Sequence, residues 1–237
     1  MRAEVPEVLA LTEVGEHTYR VTQPTESTEG NDVVFSGQLL GQMLMASDAS
    51  AEGSKDVRSV HAVFARAGTY TKEIDLQVES MHAGRTWASD TVTATQDGKL
   101  LARALVLLNA LDPDLMRHGP DMPAGVPAPD AVESGAWLSF PGADVRPVPG
   151  EPSERGVPIQ YAWHRFPDAV ASHAAGQAIL LWATCGNAIS LAMRPHRDRV
   201  NIGDAHRTLS TGVIAHTVHF IERLVGDELE VGHGDPL

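Results

Sequence analysis

The chain of 237 residues contains one cysteine, Cys185, which excludes an internal disulfide and any cysteine-rich metal site. Basic residues are also scarce: 18 Lys and Arg stand against 31 Asp and Glu, a formal net charge of −13. A surplus of that size repels a polyphosphate backbone, so non-specific nucleic-acid binding is excluded, and an anionic ligand needs a local basic patch. No uninterrupted apolar run approaches the ~20 residues of a membrane span, and the basic-then-apolar pattern of a secretory leader is missing. The expectation is a cytoplasmic protein without a membrane segment. The eleven histidines form no His-Glu-x-x-His pattern, so neither a metal nor a cofactor is expected. Ser36 stands in Phe-Ser-Gly-Gln and not in a Gly-x-Ser-x-Gly elbow, which disfavours a serine hydrolase.

What is present is a long, nearly uncharged amphipathic stretch, Val33–Ala46, opened by the small residues Ser36 and Gly37. Leu39, Leu40, Met43, Leu44 and Ala46 recur at helical spacing, with Gln38 and Gln42 between them. The pattern predicts a buried helix with a sheet around it. Its first N–H groups, which have no helical acceptors, can polarise a carbonyl or hold an anion.

Around it the chain alternates. A short helix is expected at Pro6–Leu11 and a strand at His17–Val21. After the helix come strands at Ser59–Ala65, Glu73–Ser80, Thr86–Thr95 and Lys99–Asn109, the last two joined by Asp97-Gly98, a strong hairpin signal. Residues 112–157 are rich in proline and glycine and are read as a surface linker pinned by Trp137 and Phe140. A strand at Ile159–His164, a second apolar helix at Ser172–Met193 and a strand at Gly212–Phe220 follow, with one more strand expected at Asp227–Val231. His61 and His216 fall in comparable places, so the chain reads as a weak internal duplication.

Four motifs come in order at suitable distances: Phe35-Ser36-Gly37-Gln38, Val60–Gly68, Val78–Thr86 and Ala94–Lys99. This series resembles the acyl-CoA thioesterase II family, from about Leu9 to Asn109, and more loosely through the second helix and the strand around His216. The resemblance implies an α+β double hotdog, two antiparallel sheets each wrapping a long central helix. The halves are 1–111 and 158–237, with the linker between them. It also implies hydrolysis of fatty acyl-CoA thioesters to free acid and CoA. In that family water is activated by an Asp on the second helix, a Thr or Ser on the next strand and a Gln near the C-terminus. Here the Asp position is Cys185, the hydroxyl position is Val213, and the Gln falls beyond Leu237. The second copy thus has strands fewer than the first, and the expectation is either further C-terminal residues or a partner that completes the sheet.

Other residues could carry the chemistry. Cys185 could be a nucleophile, though apolar helix surrounds it and a small core residue is the simpler role. Asn187 and Thr184 flank it and could hold a water. His216 and His219 are three apart on a strand, so one points inward, either as a structural histidine or as a base. Gly37 and Gln38 are expected to bind the thioester at the start of the first helix. Arg66 and Arg85, at strand ends, and a basic loop of Arg194, Arg197, Arg199 and Arg207 could meet CoA phosphates, or serve only as solvated surface. The expectation is a thioester hydrolase and a homo-oligomer, its partner an acyl-CoA or related thioester. The alternative is a hotdog protein that binds acyl-CoA or acyl-carrier thioesters without hydrolysing them, or runs another reaction in the same pocket.

Overall fold

The computed structural model describes residues 6–23, 32–111, 123–135, 143–149, 159–165, 172–196, 198–201, 209 and 211–224. The predicted central helix is α1, Ser36–Ser50; Val33 and Val34 precede it outside the helix, and Gly37 through Ser47 are all buried. A 3-10 turn, Glu7–Leu9, takes the place of the expected opening helix.

The strands are β1 (Thr12–Gly15), β2 (Thr18–Val21), β3 (Lys55–Phe64), β4 (Ile74–Ala83), β5 (Trp87–Gln96), β6 (Lys99–Ala110), β7 (Asp144–Pro147), β8 (Ala162–Arg165) and β9 (Ala215–His219). Seven of them form an antiparallel sheet in the order β1-β2-β4-β5-β6-β3-β9. Asp97 (φ 50°) and Gly98 (φ 71°) make the tight turn between β5 and β6, as the dipeptide requires. Strict alternation on β5 buries Ala88, Asp90, Val92 and Ala94, and β6 buries Ala102 and Ala104 beside them. Small inward side chains let α1 lie close to the sheet. Two polar ties fix it to the sheet and a third to the 3-10 turn. The Ser47 hydroxyl donates to Asp90 Oδ2 at 2.6 Å, the Tyr19 and Ser50 hydroxyls meet at 3.0 Å, and Gln42 Nε2 donates to the Val8 carbonyl at 2.8 Å.

The second long helix, α2, spans His173–Met193. Ser172 caps it, its Oγ accepting the Ala175 N–H at 3.1 Å. By length and composition α2 could cross a bilayer, a possibility hidden in the sequence because Gln177, Thr184 and Asn187 interrupt the apolar run. It is a core helix instead: 67% of that stretch is buried, packed on α1 and β3. Gln177 Nε2 donates to the Val57 carbonyl at 2.8 Å and anchors the helix beside the start of β3. At the same end Asp56 receives Arg223 Nε at 3.0 Å and lies 3.7 Å from His173 Nε2, joining β3, α2 and the segment after β9.

Two sequence expectations meet a different arrangement. The strand of the second half, β9, pairs with β3 and so extends the sheet of the first half; among the described residues it does not found a second sheet around α2. The register has a simple cause: β3 carries β6 on one edge, and β9 satisfies the other edge, which otherwise exposes unpaired N–H and C=O groups. Secondly, β7 falls inside the stretch read as linker and pairs with β8 as a separate two-stranded sheet. The aromatic cluster at 137–140 and the strand expected at 227–231 lie outside the described residues.

Candidate active site

Helices α1 and α2 cross antiparallel, and glycine sets how closely. A Cβ added at Gly37 would stand 2.8 Å from Cys185 Cβ and 2.8 Å from the Trp182 carbonyl oxygen; one added at Gly41 would stand 3.0 Å from the Ala178 oxygen. Gly37 and Gly41 are one turn apart on α1, and Ala178, Trp182 and Cys185 share one face of α2. The Phe35 and Trp182 rings close the crossing, with centroids 5.5 Å apart and tilted by 55°.

The first turn of α1 therefore opens against the middle of α2. Phe35 holds the N-cap position in an extended conformation without a side-chain cap, and its own N–H donates to Tyr70 Oη at 3.3 Å. The first backbone N–H taken up within the helix is that of Leu39, donated to the Phe35 carbonyl at 3.1 Å. Gln38 is fully buried; its Nε2 donates to Gln23 Oε1, and Tyr70 Oη approaches its Oε1 at 3.5 Å. Gln23 Nε2 is buried with no partner among the described residues. Neither Gln23 nor Tyr70 stood out in the sequence. Each belongs to a loop whose spacing carries no periodic signal, and only the fold brings them to Gln38.

Cys185 sits at this crossing. Ser36 Oγ donates to its Sγ at 3.7 Å, and burial, against that weaker hydrogen bond, pushes the thiol up to about 12. The protonated, enclosed sulfur is a poor nucleophile. Thr184, the preceding residue, donates its hydroxyl to the Leu181 carbonyl at 3.0 Å and meets His216 Nε2 at 2.9 Å. Of the two strand histidines, His216 is thus the inward one, opposite Ala62 of β3, while His219 is exposed. Burial lowers the His216 pKa from its ordinary value, which keeps the ring neutral at pH 7.

The other expected site residues are placed as follows. Val213 is half-buried and packs on the core. Asn187 lies past the crossing and is half-buried, its carbonyl accepting Ser190 Oγ at 2.9 Å. Arg66 and Arg85 are both exposed, but at opposite ends of the sheet. The Arg66 N–H bonds the Leu101 carbonyl, whereas Arg85 lies in the β4–β5 turn, beyond the pair of Trp87 with Asn109. Eight residues of β6 separate those levels, about 27 Å at strand rise, so the two guanidinium groups cannot hold one phosphate group. The first turn of α1 is at the Arg66 end, where the Val34 N–H donates to the Gly68 carbonyl at 2.9 Å. Of the basic loop, Arg199 pairs with its neighbour Asp198 at 3.6 Å, both exposed; residues 197 and 202–208 are outside the described residues. No group of three His, Cys, Asp or Glu among the described residues is placed to hold a metal.

Known proteins resemble parts of this chain. Residues 24–109, which include α1, β3 to β5 and all but the last residue of β6, match the acyl-CoA thioesterase N-terminal domain. A curated relative, acyl-coenzyme A thioesterase 8 of Mus musculus, is 29% identical over 134 residues, covering 56% of this chain and 41% of the relative. The chain therefore spans less than half the length of that relative. Among solved structures, a tesB protein of Mycobacterium avium subspecies paratuberculosis superposes with a TM-score of 0.69 at 24% identity, covering 92% of this chain and 79% of the other. A protein of unknown function with a hot dog fold from Alicyclobacillus acidocaldarius gives 0.61 at 19% identity, covering 91% and 77%. The fold is a hotdog, and the matched stretch supplies α1, whose first turn faces Cys185.

Proposed function

We propose that this protein is an acyl-CoA thioesterase that hydrolyses acyl-CoA thioesters to free acid and CoA. The match of residues 24–109 to the acyl-CoA thioesterase N-terminal domain carries the reading. The chemistry needs donors aimed at the oxyanion that forms as water attacks. The first turn of α1 offers them: the N–H groups at Ser36, Gly37 and Gln38 precede Leu39, the first residue to donate within the helix, and lie at its positive end. The substrate carbonyl is placed there, with the attacking water on the α2 side, near Cys185, Thr184 and Asn187. Arg66, at the same end of the sheet, is placed to meet a CoA phosphate.

The reading extends to the architecture. The two helices with β9 are the described part of a double hotdog: residues 1–111 as the first unit, 112–157 as linker and 158–237 as the second unit. The protein is read as a cytoplasmic homo-oligomer that works without a cofactor. Val63, Leu105 and Leu107, exposed on the outer face of the sheet, give a second copy apolar surface to cover.

The test is thiol release from acyl-CoAs of increasing chain length, read continuously with a thiol-reactive dye. Release above the uncatalysed background with at least one chain length supports hydrolysis. Tight binding of acyl-CoA with no release at any length would sink it in favour of a binding protein.

A further inference from the structure

Cys185 and Val213 stand where a water-activating carboxylate and hydroxyl are expected, so the proposed hydrolysis needs its base elsewhere. We propose that His216, fixed by Thr184, is the general base that activates water in this protein, with Nδ1 as the accepting atom. The assignment rests on the thioesterase reading above and names the group that carries it out.

The hydrogen bonds fit a tautomer with the proton on Nε2. A threonine hydroxyl has one proton, and that of Thr184 goes to the Leu181 carbonyl, within its own helix, at 3.0 Å. With its proton given to Leu181, the oxygen accepts from His216; in that tautomer Nε2 carries the hydrogen and Nδ1 carries the free lone pair. No described residue donates to Nδ1, and the ring is part-buried rather than sealed, so a water can reach it. Position agrees. His216 pairs with Ala62, two residues before the end of β3, at the end of the sheet where α1 begins. It faces the same side as Val218 and Phe220, the side on which both helices pack.

The surroundings keep the ring neutral. α2 contributes Thr184 next to the uncharged Cys185 thiol, β3 contributes Ala62 between Val60 and Phe64, and burial is the one influence that moves the imidazole, downward. His61, the titratable neighbour on β3, faces the other side, where its Nδ1 meets Thr217 Oγ1 at 2.7 Å. In the step itself, the water oxygen bonds to the thioester carbon while its proton passes to His216 Nδ1. The carbonyl π pair moves onto oxygen, against the α1 N–H groups. Collapse of the tetrahedral intermediate breaks the C–S bond, and the imidazolium returns the proton to the departing CoA sulfur. The products are the free acid and the CoA thiol, and the imidazole is regenerated.

The experiment uses the full chain with the best acyl-CoA of the chain-length series, following thiol release from pH 4.5 to 9. Thermal melting of each variant checks that it folds. With His216→Gln, kcat is expected to fall at least 100-fold and the acid limb of the pH profile to vanish. Thr184→Val leaves the base unanchored: a loss of roughly fivefold to tenfold in kcat and an acid limb moved to lower pH are expected. Thr184→Ser, which restores the hydroxyl, recovers most of the rate. If wild type hydrolyses and a folded His216→Gln keeps its rate within about threefold with an unchanged acid limb, the assignment is overturned while the thioesterase reading stands. Should His216→Gln fail to fold, an unchanged profile in Thr184→Val overturns the assignment in the same way. Absence of release by wild type overturns both.

Discussion

Ser36 Oγ and Cys185 Sγ meet at 3.7 Å across the two central helices, the hydroxyl donating to the sulfur. A thiolate would prefer that donor, yet burial wins and holds the thiol at about 12 against an ordinary 9.0. Three units on the pKa scale leave about a thousandfold less thiolate at pH 8 than a free cysteine has. Alkylation by iodoacetamide at pH 8 should therefore be at least about a thousandfold slower in the folded protein than in urea. Fast modification of the native protein would mean that the helix crossing opens far more readily than its packing indicates.

That crossing is itself testable through its glycines. A methyl at Gly37 meets Phe35 Cε1 at 2.6 Å and the Trp182 carbonyl at 2.8 Å, and a backbone oxygen in a packed helix cannot step aside. At Gly41 the nearest atoms are the Ala178 oxygen at 3.0 Å and the flexible end of Leu9 at 3.2 Å. Alanine gains up to ~1 kcal/mol of helix propensity at either position. Overpacking costs ~1–3 kcal/mol. Gly37→Ala should thus be clearly destabilising and Gly41→Ala closer to neutral, read as shifts in the urea midpoint. The opposite order would place the tight contact one turn further along α1.

Much of this arrangement was legible in the residues. Uncharged helical spacing from Leu39 to Ala46 announced a buried α1, alternation placed β4 and β5, and Asp97-Gly98 fixed the hairpin after them. What could not be read was pairing between distant strands. Ala215–His219 alternates like any half-buried strand, and nothing local says that its partner is β3 rather than a strand of its own half. The same limit applied to the arginines: Arg66 and Arg85 both sit at strand ends, but only the register reveals that these ends are opposite. The Thr184–His216 contact joins residues 32 apart in sequence, so the sequence named both residues without showing that they touch.

Asp90 offers a test of the sheet beneath α1. Burial raises its pKa, opposed by hydrogen bonds from Ser47 and Ser80. The folded state therefore holds the proton more tightly than the unfolded chain does. This contribution favours folding at low pH and is lost as the pH rises from the ordinary 3.8 through the folded value. Ser47→Ala removes one donor and lets the pKa rise further, so its cost depends on the ionisation of Asp90. At pH 7 the variant should lose ~1–3 kcal/mol of unfolding free energy, and at pH 4 distinctly less. An equal loss at both values would mean that the Ser47 contact contributes packing alone.

The separation of Arg66 and Arg85 along β6 turns into a test of where the nucleotide end of the substrate lies. The proposed carbonyl position, at the first turn of α1, shares its end of the sheet with Arg66, whose backbone bonds the Leu101 carbonyl. Arg85 lies about 27 Å further along the strand direction. If a CoA phosphate meets a guanidinium at the near end, Arg66→Ala should raise KM, by about tenfold for the loss of one charge-assisted contact, with kcat little changed. Raising the salt concentration should then weaken wild type towards the variant, because an exposed ion pair is screened. Arg85→Ala should leave KM within about twofold of wild type. If Arg85→Ala raises KM and Arg66→Ala does not, the nucleotide runs along the sheet towards the β4–β5 turn, and the phosphate contact belongs to Arg85.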